Sequence, residues 1–467
     1  MRTFLLLVFL LSWFQSNGNE YFVDLNGNDD HSGTKSQPFA SIFKASEIAM
    51  PGDTITVHGG LYRLQKQFRP SRSGTFSKWI FYRSAPKERA LFDGGAITKT
   101  IDRGDTVRFG RTTQGVFQIQ NVNYLRFERI EIQNSKAAGF IVRGPNCKKI
   151  ILDGCKTTET FNSGIGLWYC DSTLVTNCEI SRANNNDQKY YPTTARIRHE
   201  APHEALSVAG ATNFEIAYNH IHHCFKEGID CKEVSKQGVV HHNTVHDLPR
   251  QAYYADAWFG LLEDIEFHSN TAYNCFWGFG ISVEGKNSEL RNIRIHHNLI
   301  YNITGSGLHF GVWGSNLLRS DIHIFNNTFY RCGTDSVYSG GVGSIDIHSQ
   351  NFRDIFIYRN ICDKGWNYEM GFSFPREGIE NELKTRNFLA AENLFEGLKN
   401  KQGGKGQYDV MMYEFLPKDN QLGTAVFRNV EANDFVPLKI PTVKGTGIIW
   451  KYPPSPWFGA FEPVRFN

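Results

Sequence analysis

Long apolar runs are missing from nearly all of this 467-residue chain, and so is any surplus of charge. Past residue 14 nothing approaches the roughly 20 apolar residues that a membrane-spanning helix needs. A net charge of +3, with no block of like charges, is too weak to grip a nucleic-acid backbone. No two of the nine cysteines are spaced as a metal-binding pair would be, and an odd number cannot all pair with one another. No cysteine sits at the point where a leader peptide would be cut, so nothing supports a lipid anchor. What remains is a β-rich composition with 14% aromatic residues and 43 glycines.

The start of the chain sets an expected compartment. Arg2 precedes an apolar stretch over residues 4–14, and Ser16-Asn17-Gly18 places small residues where a signal peptidase cuts. Residues 1–18 are therefore expected to be a signal peptide, with the mature chain secreted or periplasmic.

Length alone would suggest about three domains, but an internal repeat overrides it. The segments FEIAYN, GVVHHN, IEFHSN, IRIHHN, IHIFNN, IFIYRN and LAAEN end on Asn219, Asn243, Asn270, Asn298, Asn327, Asn360 and Asn393. Successive asparagines lie 24, 27, 28, 29, 33 and 33 residues apart. Alternation of apolar and polar residues requires a strand with one buried face. A recurring asparagine at this period requires such strands to stack in parallel, one per coil. The expected fold is all-β, a right-handed parallel β-helix with a ladder of buried asparagines. Cys224, Cys275 and Cys332 each follow their asparagine by five residues and are expected to stack as small hydrophobes. A Cys147–Cys155 or Cys170–Cys178 bridge stays open.

Apolar residues at helical spacing (Ile42, Ala45, Ile48, Ala49), ended by Pro51-Gly52, predict a short helix capping the first coil. The helix proper is expected over residues 19–396. Residues 397–467, where the period fades, are expected to form last coils and a cap of the same domain. Between Asn177 and Asn219 the interval stretches to 42 residues. The excess, residues 181–203, carries Arg196, Arg198, His199 and His203, which would favour an anionic glycan if that loop borders the site. An ordinary surface excursion is the alternative. Loops 181–203, 311–320 and 333–351 would decide whether the groove is open or closed at its ends.

Strands opening on glycine or alanine align as ALSVA (205–209), GIDCK (228–232), AYYAD (252–256), GISVE (280–284) and GLHFG (307–311). Their second and fourth residues suit the core, so the third and fifth point outward. One face thus collects Asp230, Lys232, Tyr254, Asp256, Glu284 and His309, flanked by Trp258, Trp277 and Trp313. Coils repeat about every 4.8 Å, which would stack Asp256 directly against Glu284. Like charges at that spacing raise one pKa, as an acid paired with a nucleophile requires, and a spacing near ~5 Å suits a retaining glycosidase. Charged outward faces are also ordinary solvated surface, and it is the coincidence of these groups that points to a site. The pairs His222-His223, His241-His242 and His296-His297 lie at strand ends beside the asparagine ladder, and no metal is assigned to them. Hydrolysis of this kind needs no cofactor.

Residues 228–247, the segment from Tyr254 through Asp256 to Trp258, and Val283-Glu284 resemble the β-helix glycoside hydrolases of families 120 and 141. Tyr21-Phe-Val-Asp-Leu-Asn-Gly-Asn-Asp and Pro51-Gly-Asp-Thr-Ile resemble the wider β-helix group. The resemblance covers about residues 20–60 and 200–300. It implies Asp256 as nucleophile and Glu284 as general acid/base, although Ala257 stands where the family 120 xylosidases carry a bulky aromatic. The same residues admit a calcium-dependent polysaccharide lyase, with Lys232 as the base that removes the proton α to a uronate carboxylate. A non-catalytic glycan-binding solenoid is the third reading. In each case the partner is a carbohydrate, and nothing in the pattern sets an oligomeric state.

Overall fold

The computed structural model describes residues 18–102, 104–110, 113–185, 202–333, 343–366, 369–372, 378–396, 413–414 and 419–464. Two long sheets wind along it. One contains 13 strands, from Glu20–Val23 to Phe388–Ala391; the other contains 22. Nearly all neighbours pair in parallel, each strand against its counterpart one coil away, as with Ile293↔Ile322 and Ile322↔Ile355. The chain is a right-handed parallel β-helix. Inward residues form one continuous core of Ile, Val, Leu and Phe running from Val23 to Phe395. Among the described residues no helix is long and apolar enough to cross a membrane.

The open first coil is covered by helix Ile42–Ile48, whose Ser41 side chain caps the Lys44 amide at 3.2 Å. Ile42, Ala45 and Ala49 are buried beneath it, and Ile48 packs at its edge. At the other end the described tail lies along the outside of the late coils. Phe427 and Phe435 pack on Tyr330, while the Trp450 ring stacks on Tyr358 at 3.9 Å.

The asparagine ladder runs from Asn219 to Asn420. In each rung the backbone amide and the side-chain amide both donate to the next asparagine's Oδ1. For Asn270 on Asn298 these distances are 2.9 and 3.0 Å. Each rung's Nδ2 also reaches a backbone carbonyl, such as Phe267 O from Asn298 at 3.0 Å. The residue before each rung from Asn219 to Asn393 is left-handed: Tyr218, His242, Ser269, His297, Asn326, Arg359 and Glu392 have φ between 51° and 58°. That turn leaves a buried amide off the sheet ladder, and the asparagine oxygen satisfies it.

One expectation is corrected here, and the open disulfide question is answered. Asn177 is a left-handed corner residue with φ 54°, and Cys178 occupies the ladder column, its amide donating to Asn219 Oδ1 at 2.9 Å. The interval expected to begin at Asn177 therefore begins one residue later. All nine cysteines are free and buried. Cys147 and Cys155 lie at opposite ends of strand Lys148–Asp153, so neither that bridge nor Cys170–Cys178 has its partners together. Cys224, Cys275 and Cys332 share a column as expected, separated by Leu248 and Ile303.

Candidate active site

The outward face of five successive coils forms the floor of a cleft of about 480 Å³. Register sets its rows. Ser207 pairs with Asp230, Asp230 with Tyr254, Tyr254 with Gly280, Gly280 with His309, and His309 with Asp346. Beside this row runs a second one: Ala209, Lys232, Asp256 and Ser282.

The expected stacking of Glu284 on Asp256 is therefore corrected. Gly278, not Gly280, is the counterpart of Ala252 and Gly307, so Ser282 faces Asp256 and Glu284 lies two residues further on. Lys232 is the residue stacked directly on Asp256. The two carboxylates still meet, because the Ser282 hydroxyl lies 3.2 Å from Asp256 Oδ1 and 3.2 Å from Glu284 Oε1. Tyr254 donates its hydroxyl to Glu284 and touches Ser282 Oγ at 2.7 Å. The Trp258 indole donates to Asp256 Oδ2 at 2.6 Å. Gly280 is required beneath this arrangement, since a Cβ there would sit 2.7 Å from the Tyr254 ring. Gly314, at φ 58°, lets the following loop pass over the Glu284 backbone, where a Cβ would come within 2.5 Å.

Outward does not mean solvated here. Asp230 is 1% exposed and Asp256 5%. Burial pushes the Asp256 carboxyl well above its ordinary range, and the Glu284 charge adds to it against Trp258 and Lys232. Burial also raises Glu284, opposed by hydrogen bonds from Tyr254 and Ser282. Asp230 is raised by burial and by Glu204. Lys232 is tied to Glu204 at 2.8 Å and lies 3.9 Å from Asp230. Burial disfavours its charge, but those carboxylates outweigh it and hold the ammonium above its ordinary value.

Glu204, Lys226, Glu227, Arg250 and Gln251 also line the cleft, and the sequence reading missed them. The signal was present: Glu204, Glu227, Gln251 and Trp277 each stand immediately before a strand-opening glycine or alanine. An alignment begun on the small residue cuts that position off. Trp258, Trp277 and Trp313 line the cleft as expected. His309 does not line it; its Nδ1 lies 2.7 Å from Asp346, and its ring packs behind Trp277 and Trp313. His203 sits at the floor's edge, 3.3 Å from Lys232 Nζ and against the Trp168 ring. Burial lowers it to about 4, so it is neutral at neutral pH. Arg196, Arg198 and His199 lie outside the described residues.

Residues 21–195 match the family model described as the Pel9A-like right-handed β-helix region. That match ends before the cleft begins. Protein YwoF of Bacillus subtilis (strain 168), itself uncharacterized, is 24% identical over 365 residues, 70% of this chain and 71% of its own. Pectate lyase PEL9 of Emericella nidulans is 26% identical over 155 residues, 28% of this chain and 38% of its own. Among solved structures, the GH136 lacto-N-biosidase of Eubacterium ramulus superposes with a TM-score of 0.51 at 11% identity, covering 87% of this chain and 68% of that one. The shared property is the β-helix fold, used by a glycoside hydrolase and a pectate lyase alike.

Proposed function

We propose that this chain is an exported glycoside hydrolase in which Asp256 and Glu284 cleave a carbohydrate by a retaining mechanism. The observation that carries this reading is the carboxyl pair joined through Ser282 in a tryptophan-lined cleft. Burial and mutual repulsion favour a pair sharing one proton, so one member is charged while the other is neutral. Asp256, fixed by the Trp258 indole and stacked on Lys232, attacks the anomeric carbon. Glu284 gives its proton to the leaving oxygen and then takes one from the water that releases the sugar. Once Glu284 holds the proton, the repulsion acting on Asp256 falls away and its ionised form is favoured. Trp277, Trp313 and Trp258 offer faces on which sugar rings stack.

A polysaccharide lyase is the second reading, favoured by the PEL9 likeness and the Pel9A-like match. Among the described residues Asp230 Oδ1 and Glu227 Oε2 are buried oxygens with no hydrogen-bond partner, which fits a hard cation such as calcium. Lys226 Nζ lies 3.6 Å from the Glu227 oxygen. Asp230, Glu204 and Glu227 would hold it, and it would neutralise a uronate carboxylate. Lys232 would then be the base. Against this stands its pairing with Glu204 and Asp230, which keeps it protonated and already supplies their countercharge. Arg250, 3.4 Å from Glu227, occupies the third carboxylate in the same way.

Digestion of neutral and acidic polysaccharides by wild type, Asp256→Asn and Glu284→Gln, with and without chelator, separates the readings. New reducing ends without an unsaturated product, indifferent to chelator and lost in both variants, are expected. Ultraviolet absorbance of an unsaturated uronate that rises with cleavage and collapses with chelator would establish the lyase instead. Binding without turnover on every glycan would leave a solenoid that only recognises sugar.

A further inference from the structure

On the flank of the helix, away from the cleft, two successive coils bring histidines and a carboxylate together in a way their spacing in sequence conceals. Strand His220–His222 pairs with the start of strand Thr244–Ala257, placing His222 against His246. The next residues, His223 and Asp247, are consecutive left-handed corners with φ 53° and 55°. A His-His pair and a His-Asp pair 24 residues apart thus become neighbours. Nδ1 of His246 lies 2.7 Å from Asp247 Oδ2, and Nε2 of His223 lies 3.6 Å from that same oxygen. One ligand atom from each of the three residues falls within 4.8 Å of the others.

The surroundings prepare these atoms to ligate. The other Asp247 oxygen takes a bond from Asn274 at 3.2 Å, which helps fix the carboxylate. His223 Nδ1 lies 2.9 Å from His222 Nδ1, and His222 Nε2 lies 3.5 Å from Glu179. Glu179 only accepts, so His222 donates from Nε2, accepts at Nδ1, and draws the His223 proton to Nδ1. His223 Nε2 is then a bare lone pair facing a carboxylate oxygen, a repulsion that a cation between them would remove. For His246 the remote nitrogen lies 2.8 Å from His220 Nε2. If a metal replaces the proton on His246 Nδ1, that proton moves to Nε2 and is donated to His220, which shifts its own to Nδ1. Each imidazole ligand keeps the outer partner that orients such ligands.

We propose that His223, His246 and Asp247 form a site for one divalent zinc-class cation that staples two coils together, with a fourth position open to water. Two imidazoles and one carboxylate, with no thiolate, match the borderline metals zinc, copper and nickel rather than calcium. Ligand bonds of about 2.0–2.2 Å place donor atoms roughly 3.3 Å apart. The 3.6 Å gap meets this, and the 2.7 Å contact must open slightly. His223 is 56% exposed, which gives the ion a way in. The site is independent of the proposed hydrolase chemistry, since none of its residues lines the cleft.

Calorimetric titration of the untagged full-length protein with zinc chloride tests it, with cobalt(II) absorption reporting the coordination. One zinc per chain is expected in wild type. His223→Ala and Asp247→Asn should each bind at least about tenfold more weakly, with unchanged circular dichroism and unchanged cleavage of any substrate. His242→Ala, a corner histidine flanked by Tyr218 and Ser269 along its own column, should bind as wild type does. Absence of stoichiometric binding in wild type, or affinity within about threefold of wild type in either ligand variant, would overturn the proposal.

Discussion

Replacing Lys232 by methionine removes the one cation that, among the described residues, lies within 4 Å of both Glu204 and Asp230. Its side chain is 10% exposed, Glu204's is 6% and Asp230's 2%, so solvent screens little of the interaction. Burial pushes the Glu204 carboxyl up, yet Lys232, Lys226 and His203 outweigh it and hold it at about 2, against an ordinary 4.5. At about 1.4 kcal/mol for each pKa unit, that depression corresponds to roughly 3 kcal/mol of stability. It agrees with the approximately 3–5 kcal/mol lost when one partner of a buried pair is removed. The sign follows from the direction. A depressed carboxyl stabilises the fold above its ordinary pKa, and that contribution fades as pH falls from about 4.5 through about 2.

In Lys232→Met the largest part of that contribution is lost at neutral pH, and two buried carboxylates are left short of countercharge. Acidification then protonates them and should raise stability between about pH 7 and 5, where this pair leaves the wild type unchanged. Urea unfolding at both pH values reads this as a midpoint lowered at neutral pH and partly restored at the lower one. A variant within about 1 kcal/mol of wild type at neutral pH, or one that weakens further on acidification, would refute the reasoning. The same variant bears on the reaction: if calcium resides on these carboxylates, adding it should restore the neutral-pH midpoint, whereas chelator should destabilise the wild type.

Glu284→Gln should lower the pKa of Asp256 by removing the charge that, after burial, most raises it. The acidic limb of turnover on an activated aryl glycoside, which needs little acid help, should move to lower pH. Phe259→Ala should leave the fold intact, because that ring is 73% exposed at the cleft. If it stacks on sugar, KM should rise roughly two- to tenfold with kcat unchanged, the equivalent of about 0.5–1.5 kcal/mol. Asn298→Ala should cost about 3–5 kcal/mol, since it strips partners from the buried Asn270 amide and the Phe267 carbonyl. Thermal and urea unfolding would show it, and a loss below about 1 kcal/mol would mean the ladder is not what secures these coils.

The fold was legible because its signal is periodic twice, in strand alternation and in a residue that must recur wherever a left-handed corner leaves an amide to be satisfied. The site was legible only in part, and the reason is register. Gly278 and Gly280 stand two residues apart, either can open a strand, and both choices keep the inward-outward pattern. Choosing the second displaced Glu284 by two positions and put Ser282, the residue that joins the carboxylates, in the row of Tyr254 instead of against Asp256. Cys178 was passed over as a rung because Asn177 stood beside it. Burial was harder still to read. Pro202 and Glu204 on one side, and the loop around Trp313 on the other, turn an outward face into a cleft floor, and strand alternation cannot anticipate what a loop will cover. The flank site escaped for a related reason: His222-His223 and His246-Asp247 look like two unrelated corners until the coil spacing brings them together.

Crowding so many buried carboxyls around one cleft costs the fold stability, and Asp256 tests whether that cost is tied to chemistry. Its pKa is raised, first by burial and then by Glu284. A carboxyl of this kind destabilises the native state once pH passes its ordinary value of 3.8, and increasingly so up to its pKa in the fold. Asp256→Asn keeps the shape and can still accept from Trp258 while shedding the charge. It should therefore be inactive yet more stable than wild type at neutral pH, with the difference shrinking as pH falls toward 4. Such a pairing of gain and loss is expected where a group is retained for reaction rather than for folding. If Asp256→Asn instead weakens the fold, the attraction of the Lys232 charge and the Trp258 hydrogen bond outweigh burial and the repulsion from Glu284. The carboxyl is then part of the scaffold, and the nucleophile has to be sought among Asp230, Glu227 and Glu284.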